Sequence, residues 1–214
     1  MSSQARRPRN IIVFQHDRLE HPGIFRKFFR EDGFQLHTVE IDEGEPIPSL
    51  DGFDLMVVMG GPQDVWEEDR YAWLRGEKAA IRKFVMEMQR PYLGICLGHQ
   101  LLADSLGGRV APAKSPEIGV LPLSKTAMGE SDQAMSNVPD PPTFFEWHGV
   151  EVVERSRRDR AVANAHRPNP PGERLAIGTI IVTDEKARNS APRKGFGNLA
   201  GQPFRRRIGR DADP

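Results

Sequence analysis

The 214-residue chain has a net charge of zero, with 38% hydrophobic and 28% charged residues, and its single cysteine excludes an internal disulfide. It contains no run of about 18 apolar residues, which excludes a membrane-spanning helix, and its basic start lacks the apolar core of a secretory signal. We therefore expect a soluble cytoplasmic protein without a membrane partner.

The first half of the chain alternates between short apolar runs and segments of helical periodicity. The apolar runs predict strands at residues 10–15, 35–41, 54–59 and 91–95. Apolar spacing predicts helices after Pro22, over 73–89 and over 99–106. This order predicts an α/β fold in which helices flank both faces of a parallel sheet.

Beyond Gly108 the pattern changes. Residues 110–126 predict two short strands around a turn at Pro116, and residues 144–153 predict a further strand. Residues 128–142 are polar and predict a loop, while residues 175–182 predict one late strand.

The segment Gly94-Ile95-Cys96-Leu97-Gly98 runs from a predicted strand into a predicted helix. A nucleophile between two glycines at such a turn is the pattern of a nucleophile elbow, where small neighbours are needed to avoid clashes. The turn would hold the sulfur at the carboxyl edge of the sheet, and the helix N-terminus predicts a lowered pKa for Cys96. The alternative is a small cysteine that only packs, which the two glycines disfavour.

A second glycine turn, Met59-Gly60-Gly61-Pro62, follows the preceding apolar strand. A bare backbone N–H at this turn, together with the N–H of Leu97, would form a two-donor oxyanion hole. Alone, Gly-Gly-Pro is also an ordinary turn. Its position one βα unit before the elbow, on what should be a neighbouring strand, is what favours the role of oxyanion donor.

Together these residues resemble the class I glutamine amidotransferases, and GICLGHQ (94–100) is a specific match to their nucleophile motif. The resemblance covers about residues 10–151 and includes PEIG (116–119) and EWHG (146–149), which are typical of the GMP synthase-like branch.

The resemblance implies a flavodoxin-like domain over residues 1–151 that hydrolyses the glutamine amide through a γ-glutamyl thioester on Cys96. Ammonia would pass to a synthetase on another chain, because this chain has no ATP-binding loop. The resemblance assigns the oxyanion donors to Gly61 and Leu97. It implies neither a cofactor nor a metal. The substrate-binding residues that it implies are Gly60, Gln100, Glu117 and His148.

The histidines do not supply an obvious general base. In the family the Trp-His element lies near the site without being the catalytic histidine, so we expect His148 to line the pocket too far from the sulfur to act. His99 is expected to pack within its helix and to point away from the pocket. His16, His21 and His37 carry no motif, and exposed or capping roles suffice for them.

The chain departs from the family pattern after residue 151. The family's base and its orienting acid lie in a C-terminal Phe-His-Pro-Glu-like motif, which this sequence lacks. His166 follows instead, in a proline-rich segment with no predicted strand to hold it. Without a base the thiol ionises unaided and the leaving ammonia has no proton donor, so large rate factors are lost.

Charge and composition change at the same place. Residues 1–151 carry 16 basic and 23 acidic residues, a net charge of −7, and residues 152–214 carry 14 and 7, a net charge of +7. The tail has twelve arginines and six prolines and no Trp, Tyr, Met or Cys, a composition that favours disorder.

Our hypothesis for residues 152–214 is that they are an out-of-frame translation of the gene. The alternative is a genuine divergent tail on an inactive homologue. A fold that lacked the family's C-terminal part would be only marginally stable.

Several functions remain open from the sequence. The first is an amidotransferase using Cys96, with a γ-glutamyl peptidase-type cysteine hydrolase as the alternative chemistry. The second is a catalytically inactive binding or regulatory homologue, which the missing base favours. A basic tail also attracts phosphate, but without interleaved aromatic residues it predicts no specific nucleic-acid partner.

Overall fold

The computed structural model describes residues 9–122, 124–125, 143–154, 165–166 and 181–183. Its main sheet has the order β2-β1-β3-β4-β9, and the first four strands are parallel. These strands are β1 (Arg9–Gln15), β2 (Phe34–Glu40), β3 (Leu55–Val58) and β4 (Tyr92–Gly94). All four predicted strands and their parallel arrangement are therefore confirmed.

Helices cover both faces of this sheet, as predicted. They are α1 (Phe25–Glu31), α2 (Trp73–Arg82), which continues as a π-helical turn (Lys83–Glu87), and α3 (Leu97–Ser105). On one face, Phe14 and Val58 pack with Ile81 and Leu101 from α2 and α3. On the other face, Val13 and Val57 pack with Phe29 of α1. The central strands β3 and β4 are nearly all apolar, as expected for strands that are buried on both faces, whereas β2 at the edge of the sheet is partly polar and exposed.

The second half of the described chain forms an antiparallel pair beside the main sheet. It consists of β5 (Arg109–Pro122) and β7 (Thr143–Glu154). Residues 109–122 form one strand rather than the predicted two, but its register with β7 shifts between Pro112 and Glu117, which is where the turn at Pro116 was predicted. A bulge lets a strand bend without leaving its partner, and β7 continues the pairing past it.

Three short strands complete the described structure: β6 (Ser124–Lys125), β8 (Ala165–His166) and β9 (Ile181–Thr183). β9 pairs antiparallel with β4, so the sheet is not purely parallel. β8 pairs with β6, which corrects the expectation that no strand holds His166. The predicted strand at 175–182 is described only from Ile181 onward. The predicted loop at 128–142 and most of the tail lie outside the described residues.

Among the described residues, no helix combines the length and the apolar character that crossing a bilayer requires.

Candidate active site

Cys96 lies on a sharp turn between β4 and α3 at the carboxyl edge of the sheet. Its backbone has φ 51° and ψ −108°, which is a strained conformation for a residue other than glycine. Backbone hydrogen bonds close the turn, from the Gly98 N–H to the Ile95 carbonyl at 3.0 Å and from the His99 N–H to the Cys96 carbonyl at 3.0 Å. The geometry is that of the predicted nucleophile elbow.

The two flanking glycines are required by close packing. A Cβ on Gly94 would stand 2.7–2.8 Å from backbone atoms of Gly98 and His99. A Cβ on Gly98 would overlap the carbonyl oxygen of Val58 in the neighbouring strand β3. Backbone atoms cannot rotate away as side chains can, so the first turn of α3 rests on β3 only if both positions are glycine.

The glycine turn after β3 lies directly against the elbow. A Cβ on Gly60 would stand 3.6 Å from the Cβ of Cys96, and a Cβ on Gly61 would stand 2.8 Å from a methyl carbon of Leu97. The Gly98 N–H also donates to the Met59 carbonyl at 3.1 Å. The turns that follow β3 and β4 are thus brought together, as expected for adjacent parallel strands.

A cavity of about 830 Å³ opens in front of Cys96. It lies between the carboxyl edge of the sheet and β7. Of the predicted site residues, Gly61, Cys96, Gln100 and His148 line the cavity, whereas Gly60, Leu97 and Glu117 do not. Glu20, Asp64 and Glu146 add carboxyl groups, and His99 is not part of the lining.

The pKa of Cys96 is raised, so the predicted lowering by the helix N-terminus is wrong. Burial is the main cause, because it penalises the thiolate, and the carboxyl groups of Glu20 and Glu146 add repulsion. The Leu97 N–H contacts the sulfur and acts in the opposite direction, but it does not compensate. The thiol therefore needs help to ionise at neutral pH.

His148 projects from β7 to the cavity wall and contacts two carboxyl groups. Its Nε2 lies 3.4 Å from Glu146 Oε2 and 3.4 Å from Glu117 Oε2, and its side chain is 3% exposed. The interaction with Glu146 is the main cause that raises the pKa of His148, against the opposing effect of burial. Glu117 therefore contacts a residue that lines the cavity, His148, without lining the cavity itself.

Gln100 lines the same cavity. It lies in the first turns of α3 and is buried, and its amide donates to the Val150 carbonyl of β7 at 3.4 Å. This contact joins α3, the helix that follows the elbow, to β7, whose residues line the cavity.

Among the described residues, the groups that shift the pKa of the Cys96 thiol are Glu20, Glu146 and the Leu97 N–H, and none of them is a histidine. That no histidine pairs with Cys96 stays a prediction. The side chain of His166 lies outside the described residues.

His16 was missed by the sequence, because an exposed or capping role was expected for it. It immediately follows β1 and is 1% exposed. Its Nδ1 lies 2.9 Å from the Gly60 carbonyl oxygen and its Nε2 lies 2.8 Å from Glu77 Oε1. His21 and His37 are exposed as expected, and His21 accepts a hydrogen bond from the Gly23 N–H.

Comparison with known proteins identifies a family and relatives to which this chain is similar. The family model for class-I glutamine amidotransferases matches residues 24–173, and so continues past the change of composition at residue 151. YfeJ, a glutamine amidotransferase-like protein of Salmonella typhimurium, is 33% identical over 137 residues, which are 62% of this chain and 57% of YfeJ. A glutamine-hydrolysing GMP synthase subunit of Sulfurisphaera tokodaii is 34% identical over 130 residues, 61% of this chain and 64% of that protein.

Solved structures show the same fold. A glutamine amidotransferase from Thermotoga maritima superposes with a TM-score of 0.64 at 26% identity, over 83% of this chain and 68% of that one. A glutamine amidotransferase from Methylobacillus flagellatus gives a TM-score of 0.55 at 28% identity, over 70% and 57% of the two chains. The matched region spans about three fifths of the length of the curated relatives, between 57% and 64%.

Proposed function

The chain belongs to the class-I glutamine amidotransferase family, and we propose that its site is arranged for the first step of the family's reaction, attack of Cys96 on the side-chain amide of glutamine. The observation that carries this proposal is the position of Cys96. It stands on a strained elbow at the carboxyl edge of the sheet and faces a cavity beside a second glycine turn. Strain at such a position is typical of functional residues.

In this proposal the sulfur adds to the amide carbon and the carbonyl oxygen becomes an oxyanion. The backbone N–H groups of Gly61 and Leu97 are the proposed donors to that oxyanion. Collapse of the tetrahedral intermediate releases ammonia and leaves a γ-glutamyl thioester, which water then hydrolyses. Gln100 and His148, with Gly60 and Glu117 behind them, are the proposed substrate-binding residues.

Turnover requires a base for the thiol and a proton for ammonia. The pKa of Cys96 is raised by burial and by Glu20, and no described histidine is among the groups that shift it. The carboxyl groups of Glu146 and Glu117 raise the pKa of His148 and so favour its protonated form, which cannot accept the proton of the thiol. We therefore propose negligible hydrolysis of glutamine by this chain as written.

These observations also favour a second function, a binding module that recognises glutamine without turning it over. Chemical recognition of glutamine is common to both functions, and only ammonia release distinguishes them. A γ-glutamyl peptidase-type hydrolase would use the same cysteine but would prefer γ-glutamyl peptides to glutamine.

A synthetase on another chain is the proposed partner of the site. It rests on relatives that are named as one subunit of a glutamine-hydrolysing GMP synthase, a name that itself describes one part of an assembly. Ammonia formed at Cys96 would be consumed by such a partner.

The experiment pairs affinity labelling with ammonia release. A chloromethyl ketone analogue of L-glutamine is expected to label Cys96 faster than its D-enantiomer, and L-glutamine is expected to protect. Equal labelling of both enantiomers without protection would refute glutamine recognition. Ammonia release from L-glutamine, and release of the free amino acid from γ-glutamyl peptides, are expected to be no faster in the wild type than in the Cys96→Ser variant. Turnover by the wild type that is lost in that variant would refute the proposal that the site lacks a base.

A further inference from the structure

A buried ion pair lies directly beneath the glycine turn of the site. The side chains of His16 and Glu77 are both 0% exposed, and Nε2 and Oε1 are 2.8 Å apart. The other ring nitrogen of His16, Nδ1, lies 2.9 Å from the Gly60 carbonyl oxygen. A side chain from the end of β1 thus connects α2 to the turn after β3.

The proton positions follow from the partners. The Gly60 carbonyl can only accept a hydrogen bond, so Nδ1 carries a proton and donates it. Burial alone lowers the pKa of His16, but attraction to Glu77 and the hydrogen bonds to Glu77 and Gly60 outweigh burial and raise that pKa. A protonated ring that donates from both nitrogens satisfies both acceptors.

The orientation of one peptide group links this pair to the proposed oxyanion hole. The carbonyl of Gly60 and the N–H of Gly61 belong to the same planar trans peptide and point in opposite directions. We propose that His16 is a positioning residue that holds the Gly60 carbonyl away from the cavity, so that the Gly61 N–H faces the cavity as an oxyanion donor. Gly61 lines the cavity, as this orientation requires.

Other contacts keep the His16 ring in place. The ring stacks on Trp73 with centroids 5.5 Å apart and an interplanar angle of 18°. The side-chain amide of Gln63 donates to the His16 carbonyl at 3.3 Å, which ties the glycine turn to the end of β1 a second time. A positive ring at the carbonyl end of a peptide also polarises its N–H, which strengthens it as a donor.

The inference rests on the proposed function, but its test does not need glutamine or a general base. Acylation of Cys96 by p-nitrophenyl acetate passes through an oxyanion, whereas alkylation by iodoacetamide does not. The chain has one cysteine, so subtracting the rates measured on Cys96→Ala leaves the part of each reaction that occurs at Cys96. The ratio of the two rates therefore isolates the oxyanion hole from the reactivity of the thiol.

His16→Leu is expected to lower the acylation rate by roughly tenfold or more, the scale of a lost oxyanion contact, while alkylation changes by less than about twofold. His16→Asn keeps an N–H donor near the Gly60 carbonyl and is expected to retain most of the ratio. The control is Leu106→Ala at the far end of α3, where a buried side chain is shortened without touching the glycine turn.

If His16→Leu does not fold, the double variant His16→Phe/Glu77→Leu removes both charges together, which is tolerated far better than removing one. It carries the same expected loss of acylation. Parallel changes in the two rates, or an unchanged ratio, would overturn the inference. Wild-type protein that is alkylated but not acylated at Cys96 would also overturn the inference. Failure of glutamine recognition in the labelling experiment would refute the proposed function but not the role of His16.

Discussion

Two glycines in helices provide a direct test of how the elbow packs. Gly98 lies in α3 and Gly76 lies in α2, so alanine gains about 1 kcal/mol of helix propensity at either position. A Cβ on Gly76 would meet no atom within 4 Å, whereas a Cβ on Gly98 would overlap the Val58 carbonyl oxygen. We therefore expect the two substitutions to have opposite signs.

The magnitude follows from the surroundings of Val58. It lies on β3, which is hydrogen-bonded to β1 on one side and β4 on the other, so it cannot shift alone. Overpacking there costs about 1–3 kcal/mol or more, which exceeds or cancels the gain in propensity. Because the gain in helix propensity is the same at both positions, Gly98→Ala is expected to be about 1–3 kcal/mol or more less stable than Gly76→Ala.

Urea unfolding followed by tryptophan fluorescence measures this difference, provided that the m-value is unchanged. Gly76→Ala is the matched control and should raise the midpoint. A Gly98→Ala variant that is as stable as Gly76→Ala would refute the close contact between the elbow and β3.

Three further outcomes follow. Glu20→Gln removes a negative charge that raises the pKa of Cys96, so alkylation by iodoacetamide should reach its half-maximal rate at a lower pH. The control is Glu31→Gln, an exposed residue of α1, which should leave the pH profile of alkylation unchanged. The same pH profile in the wild type and both variants would contradict this effect. The pKa of His16 is higher in the folded than in the unfolded protein, so its protonation stabilises the fold fully below the unfolded pKa of about 6.5 and less as pH rises through the folded pKa. The unfolding free energy of the wild type should therefore exceed that of His16→Asn by more at acidic than at alkaline pH. A difference that does not depend on pH would be inconsistent with this effect. If residues 152–214 are translated out of frame, another frame downstream of codon 151 should encode a Phe-His-Pro-Glu-like element, and its absence would end that hypothesis.

The sheet and its elbow could be predicted because their signals are local. The central strands are apolar on both faces, and a run such as residues 55–58 allows few other structures. Gly94, Cys96 and Gly98 identify the turn because each of these positions has one steric requirement. Pro116 was only partly informative: it lies between Pro112 and Glu117, where the register with β7 shifts, but pairing on both sides of that stretch makes residues 109–122 one strand.

The environment of the site was harder to predict because it depends on residues far apart in the sequence. The pKa of Cys96 is set by burial and by Glu20, which lies 76 positions earlier, and both effects exceed the local effect of the helix. Two signals for the buried pair were present. His16 follows a strand whose carboxyl end meets that of β3, and Glu77 falls on the apolar stripe of α2 beside Ala80 and Ile81.

The central claim, that Cys96 is a nucleophile for γ-glutamyl groups, is tested most directly by capturing the thioester. A γ-glutamyl ester with a nitrophenolate leaving group needs no proton donor, so the missing base does not prevent its reaction. Intact-protein mass spectrometry is expected to show one γ-glutamyl adduct on the wild type, released by hydroxylamine, and none on Cys96→Ala. An ester of the L-enantiomer that leaves no adduct, or an adduct that persists in Cys96→Ala, would contradict the account.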